Sequence, residues 1–235
     1  MKVLIFGDVH DLVGEADIPA IEVVVDVVSR TDADLILQVG DLGGCRPFAR
    51  PVHWIFGNND SFTLTRACLE GKPPAENLIH IKTGEVLCYS SGEESITVSG
   101  LNGAYDPLYF DYARDELDNP GYFTKEDAGK CLQLRIIDIF LAHGCPSGLG
   151  FGREPDHGNP SIREILDTVK PRYMFCGHGH FYRKVKYGRS TVFSLDEVRR
   201  VYYILDTTSG DFNIFQTDPE TIPKELGLRY RLKRL

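Results

Sequence analysis

The chain has 235 residues, of which 42% are apolar and 26% charged, and it carries a net charge of −8. These values fit one globular domain with a sizeable core and argue against a long, non-specific phosphate-binding surface. The N-terminal apolar stretch is shorter than the roughly 7–15 apolar residues of a secretory signal, and no run approaches the roughly 20 of a membrane span, so the expected location is the cytoplasm.

The first predicted element is a strand at 2–6 (KVLIF), which runs straight into GDVH. "IPAIEVVVDVVSRTDA" follows with the length and acidic/apolar spacing of an amphipathic helix. Residues 35–39 (LILQV) lead into GDLGG, and 52–56 (VHWIF) lead into GNND. Apolar runs this short, rich in Val, Ile and Phe, read as buried strands. Segment 102–130 breaks the pattern, being rich in Tyr, Asp and Gly with little periodicity. It reads as a long loop insertion with a short helix near its end. Its aromatics, Tyr105, Tyr109, Phe110 and Tyr112, mark it as ordered and functional.

A further strand is predicted at 136–142 (IIDIFLA), ending in HG, and another at 173–176 (YMFC), ending in GHGH. Between them, "NPSIREILDTVKP" reads as a helix with Ser161 as N-cap, Glu164 completing a capping box and Pro171 as the stop. "STVFSL", "VYYILDT" and "FNIFQT" read as consecutive strands, an antiparallel addition to the same core. The alternation of strands and helices implies a mainly parallel α/β core with helices outside. The expected organisation is one domain over 1–235 with a basic, solvated tail at 228–235 (LRYRLKRL).

The six cysteines, at 45, 68, 88, 131, 145 and 176, are scattered and form no CxxC pair. In a chain with no predicted export signal they read as free thiols.

In open α/β sheets, ligands gather outside the carboxyl ends of the strands. Five predicted strand ends here carry Asp8 and His10, then Asp41, then Asn58, then His143, then His178 and His180. Each of these side chains can offer a lone pair to a cation. Seven donors exceed one tetrahedral zinc site and suit two ions sharing a carboxylate. Hard oxygen and imidazole without thiolate favour Mn²⁺, with Fe or Zn²⁺ also fitting, over an all-oxygen Mg²⁺ or Ca²⁺ cage. His53 and His80 stand apart from these ends and read as structural.

GDVH, GD, GNND, AHG and GHGH, in that order, resemble the calcineurin-like metallophosphoesterases, whose pattern is GDxH, GD, GNH(D/E), (G/A)H and GHxH. The resemblance spans roughly residues 1–195. It implies a four-layer sandwich of two packed mixed sheets flanked by helices. By the same resemblance Asp8, His10 and His180 would hold one divalent or trivalent ion, and Asn58, His143 and His178 a second. Asp41 would bridge them, and a hydroxide between the ions would attack phosphorus.

One departure from the pattern falls at Asn59, where the family most often has a histidine near the leaving group. A neutral amide is not a general acid, and general acid catalysis contributes about 10²–10⁴-fold. Small phosphodiesterases of the family with GNCD at this place resemble the chain in lacking that histidine. Asp60 would complete the motif as a partner behind the ligands, and His157 is the candidate substitute acid. Stretches within 99–150 also resemble RNA lariat-debranching enzymes, which points to phosphodiester chemistry. Tyr105 and Tyr109 are candidate base-stacking residues and Arg153 a candidate phosphate contact. The expected activity is hydrolysis of a nucleotide or short oligonucleotide phosphodiester. The alternatives are a phosphomonoesterase acting on a nucleotide, sugar phosphate or phosphoprotein, and a catalytically weak scaffold.

Overall fold

A computed structural model describes residues 1–10, 12–13, 18–151, 156 and 158–218. In chain order, β1 (Lys2–Phe6) leads through the short ribbon β2 (Leu12–Val13) and β3 (Ile18–Pro19) to α1 (Ala20–Arg30) and β4 (Leu35–Val39). Next come β5 (Val52–Ile55), α2 (Phe62–Leu69), β6 (Leu78–His80), β7 (Leu87–Ser91) and β8 (Glu94–Leu101). The chain continues with α3 (Lys125–Leu132), β9 (Ile139–Ala142), α4 (Pro160–Val169) and β10 (Tyr173–Cys176). It closes with β11 (Arg183–Tyr187), β12 (Ser190–Ser194), β13 (Val201–Asp206) and β14 (Phe212–Gln216).

Two mixed six-stranded sheets form, in the orders β14-β13-β1-β4-β5-β6 and β11-β12-β10-β9-β8-β7. The inner pairs β1–β4, β4–β5, β8–β9 and β9–β10 are parallel, as the alternation of elements predicts. The strands are apolar on both faces because both faces are covered. Val3, Ile5, Leu37 and Ile55 of one sheet meet Val98, Leu141, Phe175 and Phe193 of the other, forming the central core. Leu4, Phe6, Ile36 and Trp54 turn the opposite way and pack on Val23, Val24, Val27 and Val28 of α1. Phe140, Ala142 and Met174 likewise meet Ile162, Ile165 and Val169 of α4. Each fully buried large side chain adds about 1.5–3 kcal/mol, so the β-branched α1 is held helical by packing that overrides its weak propensity.

Two local expectations need correction. The cap of α4 is Asn159, whose Oδ1 accepts from Ser161 N–H (2.8 Å) and Ile162 N–H (3.1 Å), with Pro160 opening the helix. Proline fixes its own φ for a first helical turn and holds its predecessor extended, so the boundary falls two residues before Ser161. Strand β12 pairs parallel with β10 and antiparallel with β11, so only β13 and β14 extend the first sheet beside β1. The short helix near the end of 102–130 is α3. The basic tail lies outside the described residues. Among the described residues, no helix is long and apolar enough to cross a membrane.

Candidate metal centre

The carboxyl ends of β1, β4 and β5 in one sheet and of β9 and β10 in the other come together at one end of the sandwich. The GDVH and GD turns are bonded to each other, Asp8 N–H to the Gly40 carbonyl and Val9 N–H to the Asp41 carbonyl. Gln38, buried on β4, clasps Gly40 through both its backbone groups. Across the sheets, His178 N–H donates to both oxygens of Asp8 at 3.0 Å, while within the second sheet Gly177 N–H donates to the His143 carbonyl.

This framework holds Asp8, Asp41, His178 and His180 in left-handed backbone, with φ of 50°, 55°, 64° and 53°. A side-chain-bearing residue in that region costs on the order of 1 kcal/mol. Four such residues in one place are maintained because the bonds from neighbouring turns leave no alternative geometry.

Asp8, His10 and His180 present one donor atom each within 4.8 Å of one another, and so do Asp41, His143 and His178. Asn58 Oδ1 joins the second group, 3.2 Å from His143 Nε2. Asp41 Oδ2 lies 3.2 Å from His143 Nε2 and 3.4 Å from His10 Nε2, between the two groups. All seven sequence-predicted donors are therefore brought together.

The charge pattern fits cations. Asp8, Asp41 and His143 are fully buried. Burial alone would raise both carboxyls, but His10 and His180 hold Asp8 below the usual carboxylate range, and His143 holds Asp41 well below it. Burial would likewise lower His143, yet the Asp41 charge lifts it to about 9. The Nε2 atoms of His10 and His180 stand 3.1 Å apart. Two bare lone pairs at that distance repel, so a proton or a metal must sit between them. His143 Nδ1 faces the Val39 carbonyl at 3.0 Å, which fixes its N–H there and leaves Nε2 to the site. The cradle also demands glycine, because a Cβ on Gly57 would lie 2.6 Å from His143 Nε2 and one on Gly177 2.9 Å from Asp8 Oδ2. Oxygen and imidazole donors, a shared carboxylate and no thiolate in either group suit two divalent ions.

Around the donors, Asn59 spends its side chain on Asp41. Asp60, nearly buried, accepts from the backbone N–H groups of Asp41 (3.0 Å), Leu42 (2.7 Å) and Gly57 (2.8 Å). Burial raises its carboxyl to about 6 against the pull of Gly57 N–H, with the Asp41 charge adding to the rise. It ties the GD and GNND turns together and does not point at the donors as a free acid. Tyr105 packs on Phe110 and Phe123, and Tyr109 stacks on Tyr122 at 4.9 Å, so both brace their own loop, with Tyr105 40% exposed. His53 and His80 are bonded within the fold, to Tyr89 and Asn102. His157 and Arg153 lie outside the described residues.

Two positions escape strand-end reasoning. Glu197, nearly buried, sets Oε1 3.6 Å from His180 Nδ1, while Arg199 and Arg200 gather on its Oε2. Asn102 Oδ1 accepts from Phe56 N–H at 2.8 Å and Gly103 N–H donates to the Phe56 carbonyl, fixing the residue before GNND from both sides. A buried polar residue after a strand is their only sequence signal, and that signal is common.

Residues 1–182 match the family described as "Calcineurin-like phosphoesterase". Among solved structures, TT1561 of Thermus thermophilus is similar at 15% identity, covering 92% of this chain and 99% of its own, with a TM-score of 0.63. A putative 5'-nucleotidase from Staphylococcus aureus is similar at 11% identity, covering 98% of this chain and 58% of its own, with a TM-score of 0.57. GAP50 of Plasmodium is similar at 9% identity, covering 99% of this chain and 94% of its own, with a TM-score of 0.52. At such identities the likeness is one of fold. No curated protein matches the sequence.

Proposed function

This chain belongs to the calcineurin-like phosphoesterase family, and on that premise we propose that it is a dinuclear metal-dependent phosphodiesterase acting on a nucleotide or a short oligonucleotide. Asp8, His10 and His180 would hold one ion, Asn58, His143 and His178 the other, and Asp41 would be shared. When bound, two such ions supply Lewis acidity, neutralising charge at phosphorus and making water a competent nucleophile at neutral pH. Mn²⁺ is the expected metal, with Fe or Zn²⁺ suiting the same donors.

The chain's own residues then set orientation and proton traffic. His143 is locked by the Val39 carbonyl with Nε2 toward the site. Asp41 is held by Asn59, and the Asp60 carboxylate fixes the backbone of both turns. The observation that carries the diester reading is the Asn59 amide bonded to Asp41 where the family most often has a histidine. No proton donor for a leaving group stands at that place. Loss of an acid worth about 10²–10⁴-fold weighs most on substrates with poor leaving groups, such as alkyl monoesters.

The test compares bis(p-nitrophenyl) phosphate with p-nitrophenyl phosphate after metal removal and Mn²⁺ reloading, with Asp41→Asn and His178→Ala as controls and bound metal quantified. A diester preference that vanishes in both variants is expected. A monoester preference would move the assignment to phosphomonoesterase, and bound metal without turnover on either ester would move it to a scaffold.

A further inference from the structure

One residue beyond His180 begins the segment 181–189, Phe-Tyr-Arg-Lys-Val-Lys-Tyr-Gly-Arg, with four cations, three aromatic rings and no acid. Most of it is β11, the edge strand of its sheet. We propose that this edge is a short binding track for the phosphate backbone of a single-stranded oligonucleotide, leading into the metal centre. The inference rests on the phosphodiester reading of that centre and adds the form of its substrate.

Strand direction supplies the first argument. β11 runs antiparallel to β12, with Arg183 opposite Ser194 and Tyr187 opposite Ser190. Ser194 is in register with Cys176, two residues before His178. Arg183 therefore stands at the metal end of the edge, where it also donates to the Gly150 carbonyl in the segment after His143. Tyr187 and Arg189 stand at the far end.

Charge supplies the second. Several cations elsewhere are matched to acids, as in Arg30 with Asp26, Arg46 with Glu22, Lys72 with Glu70 and Lys130 with Glu126, while Arg50 and Arg135 turn singly to backbone carbonyls. Along β11 the cations turn to uncharged partners. The Lys184 ammonium sits 5.5 Å over the Phe193 ring, Lys186 donates to the Arg189 carbonyl and Arg189 Nε to the Lys170 carbonyl. Among the described residues, no carboxylate pairs with these four. Their positive charge is thus uncompensated in a protein of net charge −8, and it faces solvent.

The track has a stacking surface and an end. Tyr182, 38% exposed, is braced on Tyr203 and Phe212 between His180 and Arg183, presenting a ring where a base could stack. At the far end, on the α4 face of the strand, opposite Lys184, lies a cavity of about 640 Å³ lined by Lys170, Tyr187 and Arg189. The one acid there, Asp167, is paired with Arg163 at 3.0 Å. The five residues of β11 span roughly 13 Å, room for roughly two to four phosphates of a single strand.

Cations on an edge strand also keep sheets from pairing edge to edge. That role alone predicts no nucleic-acid binding, which makes the two separable. The experiment measures anisotropy of a fluorescein-labelled short oligouridine with 2′-O-methyl and phosphorothioate linkages, which resist cleavage, against the full-length protein over a range of KCl. Lys184→Glu/Lys186→Glu is expected to weaken binding at least about ten-fold and to flatten the salt slope by roughly one to two. Its kcat/KM on bis(p-nitrophenyl) phosphate should remain at the wild-type value, which also shows that it is folded. Equal affinity and slope in the variant would overturn the track. So would equally tight binding of a polyglutamate peptide, which would give the edge to an acidic protein. Failure of the wild type to cleave the small diester would count against the phosphodiesterase reading, whereas cleavage with unaltered oligonucleotide binding would count against the track alone.

Discussion

Asn59 donates to both oxygens of the Asp41 carboxylate, from its backbone N–H to Oδ1 and from its side-chain amide to Oδ2, each at 2.8 Å. Asn59 therefore aims the carboxylate that lies between the two donor groups. Two outcomes follow. Asn59→Ala, keeping only the backbone bond, should weaken Mn²⁺ binding about ten-fold, as loss of an outer partner of a metal ligand does, read by calorimetric titration. Asn59→His should raise the ratio of monoester to diester hydrolysis by about ten-fold or more, within the range of a restored general acid. An unchanged ratio would remove the acid argument.

Glu197 is expected to act on the metals through His180. Its Oε1 faces Nδ1 at 3.6 Å, and the imidazole is raised above its ordinary value by Asp8 first and by the Glu197 charge among further causes. Glu197→Gln keeps the shape and removes the charge. Affinity for one of two Mn²⁺ ions should fall about ten-fold or more, with the other nearly unchanged. A uniform loss at both sites would mark general destabilisation instead.

The central core should be unforgiving. Phe175 is fully buried and stacks on Phe193 at 4.9 Å and on Phe212 at 5.9 Å. Phe175→Ala should cost about 3–5 kcal/mol, seen as a lower urea midpoint with an unchanged slope.

Ile136 presents the opposite case. It is 83% exposed and held at φ 56°, a left-handed conformation that a β-branched residue adopts poorly. Ile136→Gly should stabilise the protein by about 1 kcal/mol, and denaturation that shows a loss would mean that the side chain is held by something other than its backbone.

His53 should govern part of the acid limb of stability. Burial lowers its imidazole to about 4, and Tyr89 OH lies 2.8 Å from its Nδ1. Between about pH 6.5 and 4 the unfolded chain takes up a proton that the folded chain refuses. Stability from this site is thus present above about pH 6.5 and lost as pH falls toward about 4. Allowing for partial solvent access, about 1–2 kcal/mol is at stake. His53→Gln should flatten that portion of the pH–stability curve.

The seven donors are legible because each follows an apolar run too short to be anything but a buried strand, and a strand end puts local chemistry in a predictable place. The resemblance carried by GDVH, GD, GNND, AHG and GHGH likewise lies in local words. Strands β6, β7 and β8 and helix α2 escape a reading of the sequence, because they are short or broken by polar and small residues, as LIH, LCYSS, ESITVSGL and FTLTRACL are. β11 is hidden for the same reason: "RKVKY" is an edge strand whose charge outweighs its apolar content. Ser161 resembles a cap by composition, whereas the constraint that Pro160 places on Asn159 decides the boundary.

The sequence by itself determined the α/β class, the strand ends and a set of candidate donors, since apolar period, turn residues and ligand chemistry are properties of neighbours in the chain. The motif resemblance already implied the two groups and Asp41 between them, but only the tertiary structure brought these residues together, turned Asn59 onto Asp41 and set Glu197 behind His180. Those relations join residues up to 170 positions apart, as in His178 and Asp8. They are set by how two sheets pack and by which left-handed turns the surrounding hydrogen bonds enforce, and no local pattern encodes either.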